Sequence, residues 1–151
     1  MASKFTKDDI LTFLRQVPIM SIAVNLADKP ISSVVAFAVD QDFSFYFVTK
    51  RNTYKAQALQ QNPQISISVW EHNKILVQAC GIAREIEDQR ELDSVRATVV
   101  KSISHIKNFW WPILDIQGEH VSYKIQTEWL RVLDLSNTTS EAQERYFEVN
   151  L

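Results

Sequence analysis

The stretch FYFVTKRNTYKAQALQQNPQISISVW, residues 45–70, combines a strand, a polar turn, a short helix and a second strand. Its first residues are aromatic or β-branched, which favours a strand. The turn follows at 50–52, and good helix formers fill 53–61 before Asn62-Pro63 ends the helix. Residues 64–71 are again β-prone. A single short helix inserted between strands argues against an alternating β–α–β repeat.

Short β-prone segments and polar turns continue on both sides of this stretch. A first helix is predicted from a cap at Thr6 to a stop at Pro18, and another over 88–102. Strands are predicted at 20–26, 31–39, 43–49, 64–71, 75–86, 119–126 and 129–135, the last two joined as a hairpin through Thr127-Glu128. The pattern predicts a mainly β protein, an antiparallel barrel with peripheral helices. With no linker or repeat, residues 1–151 are predicted to form a single domain.

Composition excludes several classes of protein. The formal net charge of −2 gives no electrostatic reason to expect a nucleic-acid partner. No window approaches the roughly 20 apolar residues that cross a bilayer, and the acidic Asp8 and Asp9 do not fit a signal peptide. The single cysteine, Cys80, fits a reducing compartment, so we expect a cytoplasmic protein without membrane contact. Its apolar surroundings indicate a small buried residue and not a catalytic thiol.

Several familiar reaction centres are also missing from the sequence. Gly81 and Gly118 are the only glycines, too few for a glycine-rich phosphate loop. His72, His105 and His120 show no ligand spacing, so no metal site is expected. No serine lies in a Gly-x-Ser-x-Gly context, which excludes that form of serine hydrolase.

The start of the predicted helix at Thr53 is the best candidate for a binding site. A helix N-terminus carries unpaired backbone N–H groups and a partial positive charge, which favour a phosphate group. Lys50, Arg51 and Lys55 add cations nearby. In the alternative interpretation, Asn52 or Thr53 only caps the helix and the cations are solvated. The spacing alone leaves both interpretations open.

The ordered series of segments resembles the flavin-binding split-barrel proteins of the pyridoxamine 5′-phosphate oxidase superfamily. The matching features are Thr49, the triplet Thr53-Tyr54-Lys55, the helix end at Asn62-Pro63, a long strand with Gly81 at its centre, and the closing segment YKIQTEWLRVLDLS. The resemblance covers about residues 9–135 and leaves a polar tail at 136–151.

The resemblance implies a six-stranded antiparallel split barrel that forms a homodimer, with flavin mononucleotide (FMN) sites at the interface. It implies that Thr49, Thr53 and Lys55 face the phosphate or ribityl chain, with Lys50 nearby. Ser33, Val34, Val35 and Ala36 would run beside the flavin ring, and Gln78 would approach from the partner subunit. Tyr54 stands where the family has an arginine, and Ser33 stands where the oxidases themselves have one, so oxidation of pyridoxamine phosphate is not implied.

The leading hypothesis is an FMN-dependent oxidoreductase that passes electrons or hydride between a reduced nicotinamide and a small organic acceptor. No catalytic side chain is assigned, because the flavin performs the redox step. One alternative is a non-catalytic flavin- or haem-binding sensor, with His72 or His120 as a candidate haem ligand. A deazaflavin in place of FMN and a structural dimer without ligand also stay open.

The run Phe109-Trp110-Trp111-Pro112 is unusually aromatic. Its rings could seal a dimer interface, where tryptophan is enriched. Alternatively, Trp110 or Trp111 could cover the flavin or a flat substrate. The sequence leaves both interpretations open.

Overall fold

The structure is a computed structural model that describes residues 5–105, 119–136 and 146–151. Trp110 and Trp111 lie outside these residues, so both interpretations of the aromatic run stay predictions. The described residues form α1 (Lys7–Gln16), β1 (Ile19–Leu26), β2 (Lys29–Val39), β3 (Phe45–Lys50), α2 (Tyr54–Gln61), β4 (Gln64–Glu71), β5 (Ile75–Glu85), α3 (Gln89–Ile103), β6 (His120–Asp134) and β7 (Tyr146–Glu148).

Six of the strands close into a barrel. The sheet order is β3-β2-β1-β4-β5-β6-β7, and β3 also pairs with β6, so that β1 to β6 form a ring and β7 extends it from β6. Every pairing is antiparallel. The predicted fold class, a mainly β protein with a six-stranded antiparallel barrel and peripheral helices, is confirmed.

The predicted hairpin at Thr127-Glu128 is wrong, because one continuous strand of 15 residues, β6, runs through this point. Its residues 120–125 pair with β3 and its residues 123–134 with β5, so residues 123–125 pair with both strands. Cys80 pairs with Trp129 and Gly81 with Thr127, so Glu128 is an extra residue, a β-bulge. Odd-numbered residues point into the barrel before the bulge and even-numbered ones after it. Because the inward-pointing positions change from odd to even at the bulge, the sequence pattern resembles two separate strands.

Gly81 allows β5 and β6 to approach closely at the bulge. A Cβ atom at this position would lie 2.1 Å from the carbonyl oxygen of Gln126 and 3.0 Å from the Cα of Thr127. The Thr127 hydroxyl donates a hydrogen bond to the carbonyl of Phe43, which fastens the bulge to the β2–β3 turn. Phe43 has a φ of 58°, in the left-handed region, so β3 begins two residues later than predicted.

Two hydrophobic clusters lie on opposite sides of the sheet. The barrel interior holds the larger one, with Phe37, Phe45 and Phe47 fully buried, and α1 and α2 pack against it. The smaller cluster lies under α3, where Val95 and Val99 contact the outer side of β2 and β3. α1 begins with a capping box between Thr6 and Asp9, as its sequence indicates.

No helix within the described ranges is long and apolar enough to cross a membrane. The polar tail contributes β7, which pairs with β6, and the rings of Phe147 and Phe5 stack with their centroids 6.2 Å apart. The single-domain assignment of residues 1–151 and the cytoplasmic location stay predictions.

Replacing Gly81 by alanine should destabilise the fold by about 1–3 kcal/mol, because the added methyl group meets backbone and not a movable side chain. Urea unfolding of Gly81→Ala against the parent measures this. Ser66→Ala, on the neighbouring strand and exposed, is the control and should change stability by less than about 0.5 kcal/mol. Parental stability in Gly81→Ala would contradict the close approach.

Candidate functional site

A cavity of about 380 Å³ lies between β2 and the first turn of α2. It is lined by Ile31, Ser32, Ser33, Asn52, Thr53, Tyr54 and Lys55. The structure therefore brings three predicted cofactor residues, Ser33, Thr53 and Lys55, to one place. Ile31 was not predicted, although it shares the face of β2 with Ser33 through the two-residue period of a strand.

Thr53 is the N-cap of α2. Its hydroxyl accepts a hydrogen bond from the backbone N–H of Ala56 at 3.4 Å and donates one to the Lys50 carbonyl at 2.8 Å. The hydroxyl oxygen of the buried Thr49 lies 3.3 Å from that of Thr53. Thr53 therefore caps the helix, one part of the alternative interpretation, while the unpaired N–H groups of the first turn still make the helix start attractive to an anion.

Two polar groups at this cavity have no partner among the described residues. The Ser33 hydroxyl oxygen is buried without a hydrogen bond. Lys55 is half-buried and makes no ion pair with any residue of the described ranges, and burial lowers the pKa of its ammonium group. A cation in this position is stabilised by a ligand that carries negative charge.

Arg51, in contrast, is already paired with carboxylates away from the cavity. Its guanidinium group lies 2.6 Å from a carboxylate oxygen of Glu85 and 3.0 Å from one of Glu119. The hydrogen bond to Glu85 raises the pKa of Arg51 further above its ordinary value. These acids are 34 and 68 positions away in the chain, so no local pattern indicates this pairing. Arg51 is therefore not available as a cavity cation.

The other predicted cofactor residues lie outside the cavity lining. Val35 points into the barrel core, Ala36 is buried under α3, and Val34 is 48% exposed on the outer face. Thr49 and Lys50 are at the end of β3, one turn before the cavity.

Gln78 is separated from the cavity of its own chain. It lies on β5, three strands from β2 in the sheet, which corresponds to roughly 14 Å at the usual strand spacing. Its side-chain oxygen accepts a hydrogen bond from Arg131 at 2.9 Å. Only the cavity of a second copy could receive this side chain.

The two candidate haem ligands lie near opposite ends of β6. His120 begins the strand, and its Nε2 atom is buried without a partner among the described residues. His72 lies in the β4–β5 turn, next to Ile75, which pairs with Asp134 at the other end of β6. Within the described ranges, no three His, Cys, Asp or Glu side chains form a group that could hold a metal ion.

A family model described as pyridoxamine 5′-phosphate oxidase matches residues 6–134. This span contains the whole barrel and every cavity residue. No curated protein sequence matches the chain.

Solved structures of similar fold include proteins described by different ligands. A haem-binding protein from Mycobacterium smegmatis matches with a TM-score of 0.72 and 13% identity, over 99% of this chain and 60% of that one. HutZ, a haem storage protein from Vibrio cholerae, matches with a TM-score of 0.64 and 20% identity, over 80% of this chain and 89% of that one. An FAD-binding protein from Mesorhizobium loti matches with a TM-score of 0.64 and 16% identity, over 85% of this chain and 94% of that one. At these identities the likeness concerns the fold.

Replacing Lys55 by methionine should stabilise the protein in the absence of ligand. Burial disfavours the charged ammonium group in the folded state, so its cost is fully present at neutral pH, below the lowered folded pKa. The cost is relieved as pH rises from that pKa towards the ordinary 10.5. Urea unfolding at pH 7 should therefore give Lys55→Met a larger free energy of unfolding than the parent, and this difference should shrink at higher pH.

The exposed Lys29 provides the control, since Lys29→Met should leave stability within about 0.5 kcal/mol of the parent. A less stable Lys55→Met protein at pH 7 would mean that Lys55 already has a favourable partner.

Proposed function

This chain belongs to the pyridoxamine 5′-phosphate oxidase family, and on that premise we propose that it binds FMN and acts as an oxidoreductase. It passes electrons or hydride between a reduced nicotinamide and a small organic acceptor. The observation that supports this proposal is the cavity beside α2, where an uncompensated lysine and an unpartnered buried hydroxyl lie together.

The residues present fit a phosphate monoester at one end of the cavity. Lys55 supplies the positive charge, and the first backbone N–H groups of α2 supply donors in fixed directions. Thr53 holds this turn in place through its cap. Because Arg51 is neutralised by Glu85 and Glu119, Lys55 carries most of the electrostatic attraction.

The rest of the cofactor lies along β2. The Ser33 hydroxyl gives a hydrogen-bonding group that has no other use in the described part of the protein. Tyr54, which is 68% exposed at the rim, offers an apolar ring in place of the bidentate arginine contact. A bound flavin supplies the redox chemistry, and the protein supplies binding and orientation.

We further propose that the protein is a homodimer, because Gln78 can approach a flavin only from a second copy. The outer face of β4 and β5, where Gln78 lies, also carries Trp70, which is 60% exposed. Tryptophan is enriched at protein interfaces relative to the rest of the surface.

A non-catalytic haem-binding role is the second candidate. The buried Nε2 atom of His120 has no partner in the described ranges and could coordinate iron. Proteins described as haem-binding and haem storage proteins share the fold. This candidate has less support than FMN binding, because it rests on one histidine nitrogen and the flavin proposal rests on a cavity with several suitable groups.

FMN titration and absorption spectra test the proposed function. The protein should bind FMN, and the visible flavin bands should bleach on addition of NADH or NADPH. Lys55→Ala should weaken FMN binding about 10- to 100-fold, the value of a charge-assisted hydrogen bond, and leave riboflavin binding unchanged. FMN affinity should also fall as pH rises through the lowered pKa of Lys55, because the neutral amine no longer attracts phosphate.

Lys29→Ala is the matched control and should bind FMN like the parent, since Lys29 is exposed outside the cavity. An equal loss of FMN and riboflavin affinity in Lys55→Ala would exclude Lys55 as the phosphate ligand. A Soret band after addition of haem, without flavin binding, would favour the second candidate. Binding of neither ligand would favour a structural dimer.

Light scattering of the purified protein should give a mass of twice the 17.5 kDa chain. Trp70→Ser should shift the mass towards a single chain, because burial of the indole ring in the interface is lost. Val100→Ser, at an exposed apolar residue of α3, is the control and should stay dimeric. A single-chain mass for the parent would contradict the dimer.

A further inference from the structure

A row of side chains crosses the outer face of the sheet at the level of Gln78. The strand register pairs Val34 with Ser21, Ser21 with Ser68, Ser68 with Gln78 and Gln78 with Arg131. The row therefore runs over β2, β1, β4, β5 and β6, with two small side chains at its centre. Because neighbouring strands are evenly spaced, Val34 and Gln78 lie at equal distances from the line between β1 and β4.

The proposed homodimer exchanges the two ends of this row. An interface around a two-fold axis brings residue i of one copy to residue j of the other, and j to i. When two copies pack outer face to outer face about an axis between β1 and β4, Gln78 of one copy lies opposite Val34 of the other. Val34 directly follows Ser33, which lines the cavity beside α2. Gln78 thus approaches the cavity of the second copy.

Arg131 fixes which end of the Gln78 amide is available there. Its Nε–H donates a hydrogen bond to Oε1 of Gln78 at 2.9 Å. A guanidinium group has only donors, so the amide oxygen must face it. The amide NH₂ of Gln78 makes no hydrogen bond within the described ranges. Gln78 therefore presents donors, and not an acceptor, to a ligand.

The guanidinium group of Arg131 is held in place by two aromatic rings. Its Cζ atom lies 4.4 Å from the ring centroid of Tyr146 and 5.4 Å from that of Trp129. Glu148, opposite Arg131 in β7, accepts a hydrogen bond from Trp129 at 2.9 Å, and Arg131 makes no ion pair with any residue of the described ranges. Its uncompensated charge polarises the amide of Gln78, which strengthens the NH₂ group as a donor.

We propose that Arg131 is a positioning residue for the flavin site of the partner subunit. It orients Gln78 so that the amide NH₂ donates to an acceptor atom of the flavin ring, and its charge strengthens that donor. This inference rests on the proposed function, FMN binding by a homodimer. Reduction makes the flavin ring more negative, so a strengthened donor favours reduced over oxidised FMN.

Redox titration of the bound FMN tests this role without measuring turnover. Arg131→Leu should lower the affinity for reduced FMN, relative to oxidised FMN, about 3- to 10-fold, which lowers the midpoint potential by about 15–30 mV. In a Gln78→Leu background, the further loss of Arg131 should change this ratio less than about twofold, because Arg131 acts through Gln78. Gln78→Glu keeps the acceptor and loses the donors, so it should lower the potential at least as much as Gln78→Leu.

Two variants at cations of β6 serve as controls. Arg131→Lys keeps a charged donor and should restore part of the potential that Arg131→Leu loses. The ammonium group of Lys124 also lies over a ring, 5.6 Å from the centroid of Tyr46, but it is remote from Gln78. Lys124→Met should therefore keep the parental potential.

A mixed dimer shows whether Arg131 acts on its own chain or on the partner. One copy carries Lys55→Ala and the other carries Arg131→Leu, with different affinity tags for purification. With less than one FMN per dimer, FMN occupies the intact cavity of the Arg131→Leu copy. This cavity receives Gln78 from the Lys55→Ala copy, whose Arg131 is intact, so the potential should equal that of the parent.

A parental potential in Arg131→Leu, or an equal loss with and without Gln78, would overturn the proposal. A lowered potential in the mixed dimer would also overturn it, since Arg131 would then act within its own chain. So would a loss of FMN affinity in Arg131→Leu without any loss of riboflavin affinity, which would indicate direct contact with the phosphate. All these outcomes leave FMN binding in place, whereas a parent that binds no FMN would overturn the proposed function and this inference together.

Discussion

The close approach of β5 and β6 at Gly81 is the constraint on which the barrel depends. β6 pairs with β5 over residues 123–134 and with β3 over residues 120–125, so that residues 123–125 lie between both strands. The extra residue Glu128 lies within the pairing with β5 and bends β6 at that point. The absence of a side chain at Gly81 leaves the space that this bend occupies. Closure in turn removes the open edges that a six-stranded sheet would expose.

The same closure positions the candidate site. β3 lies between β2 and β6, so the turn that follows it is held at the rim of the barrel, where α2 begins. Arg51 ties this turn to the end of β5 and the start of β6 through two carboxylates. The ion pairs fix the turn and leave Lys55 as the cation that faces the cavity. Arg51 thus fixes the position of the turn, while Lys55 supplies the positive charge at the cavity.

The sequence predicted the features that depend on neighbours along the chain. The cap of α1 at Thr6, the cap of α2 at Thr53 and the bounds of β4 all follow from local residue preferences. It did not reveal what depends on distant residues. The bulge at Glu128 is defined by its pairing with Cys80 and Gly81, and the neutralisation of Arg51 needs Glu85 and Glu119. The distance of Gln78 from the candidate cavity of its own chain likewise depends on the strand order, which no local pattern gives.

The strand pairing also has a consequence for the order of folding. The cavity beside α2 is built from residues 31–55, a short stretch of the chain, whereas Phe45 pairs with Ile125, 80 positions later. The entropy lost in closing a loop grows with its length, and distant pairings form slowly. We therefore expect the meander of β1 to β3 with α2 to form early, and the pairing of β6 with β3 to complete the barrel last. The candidate cavity then belongs to the part of the chain that folds from local contacts, and its rim stays open until β6 docks.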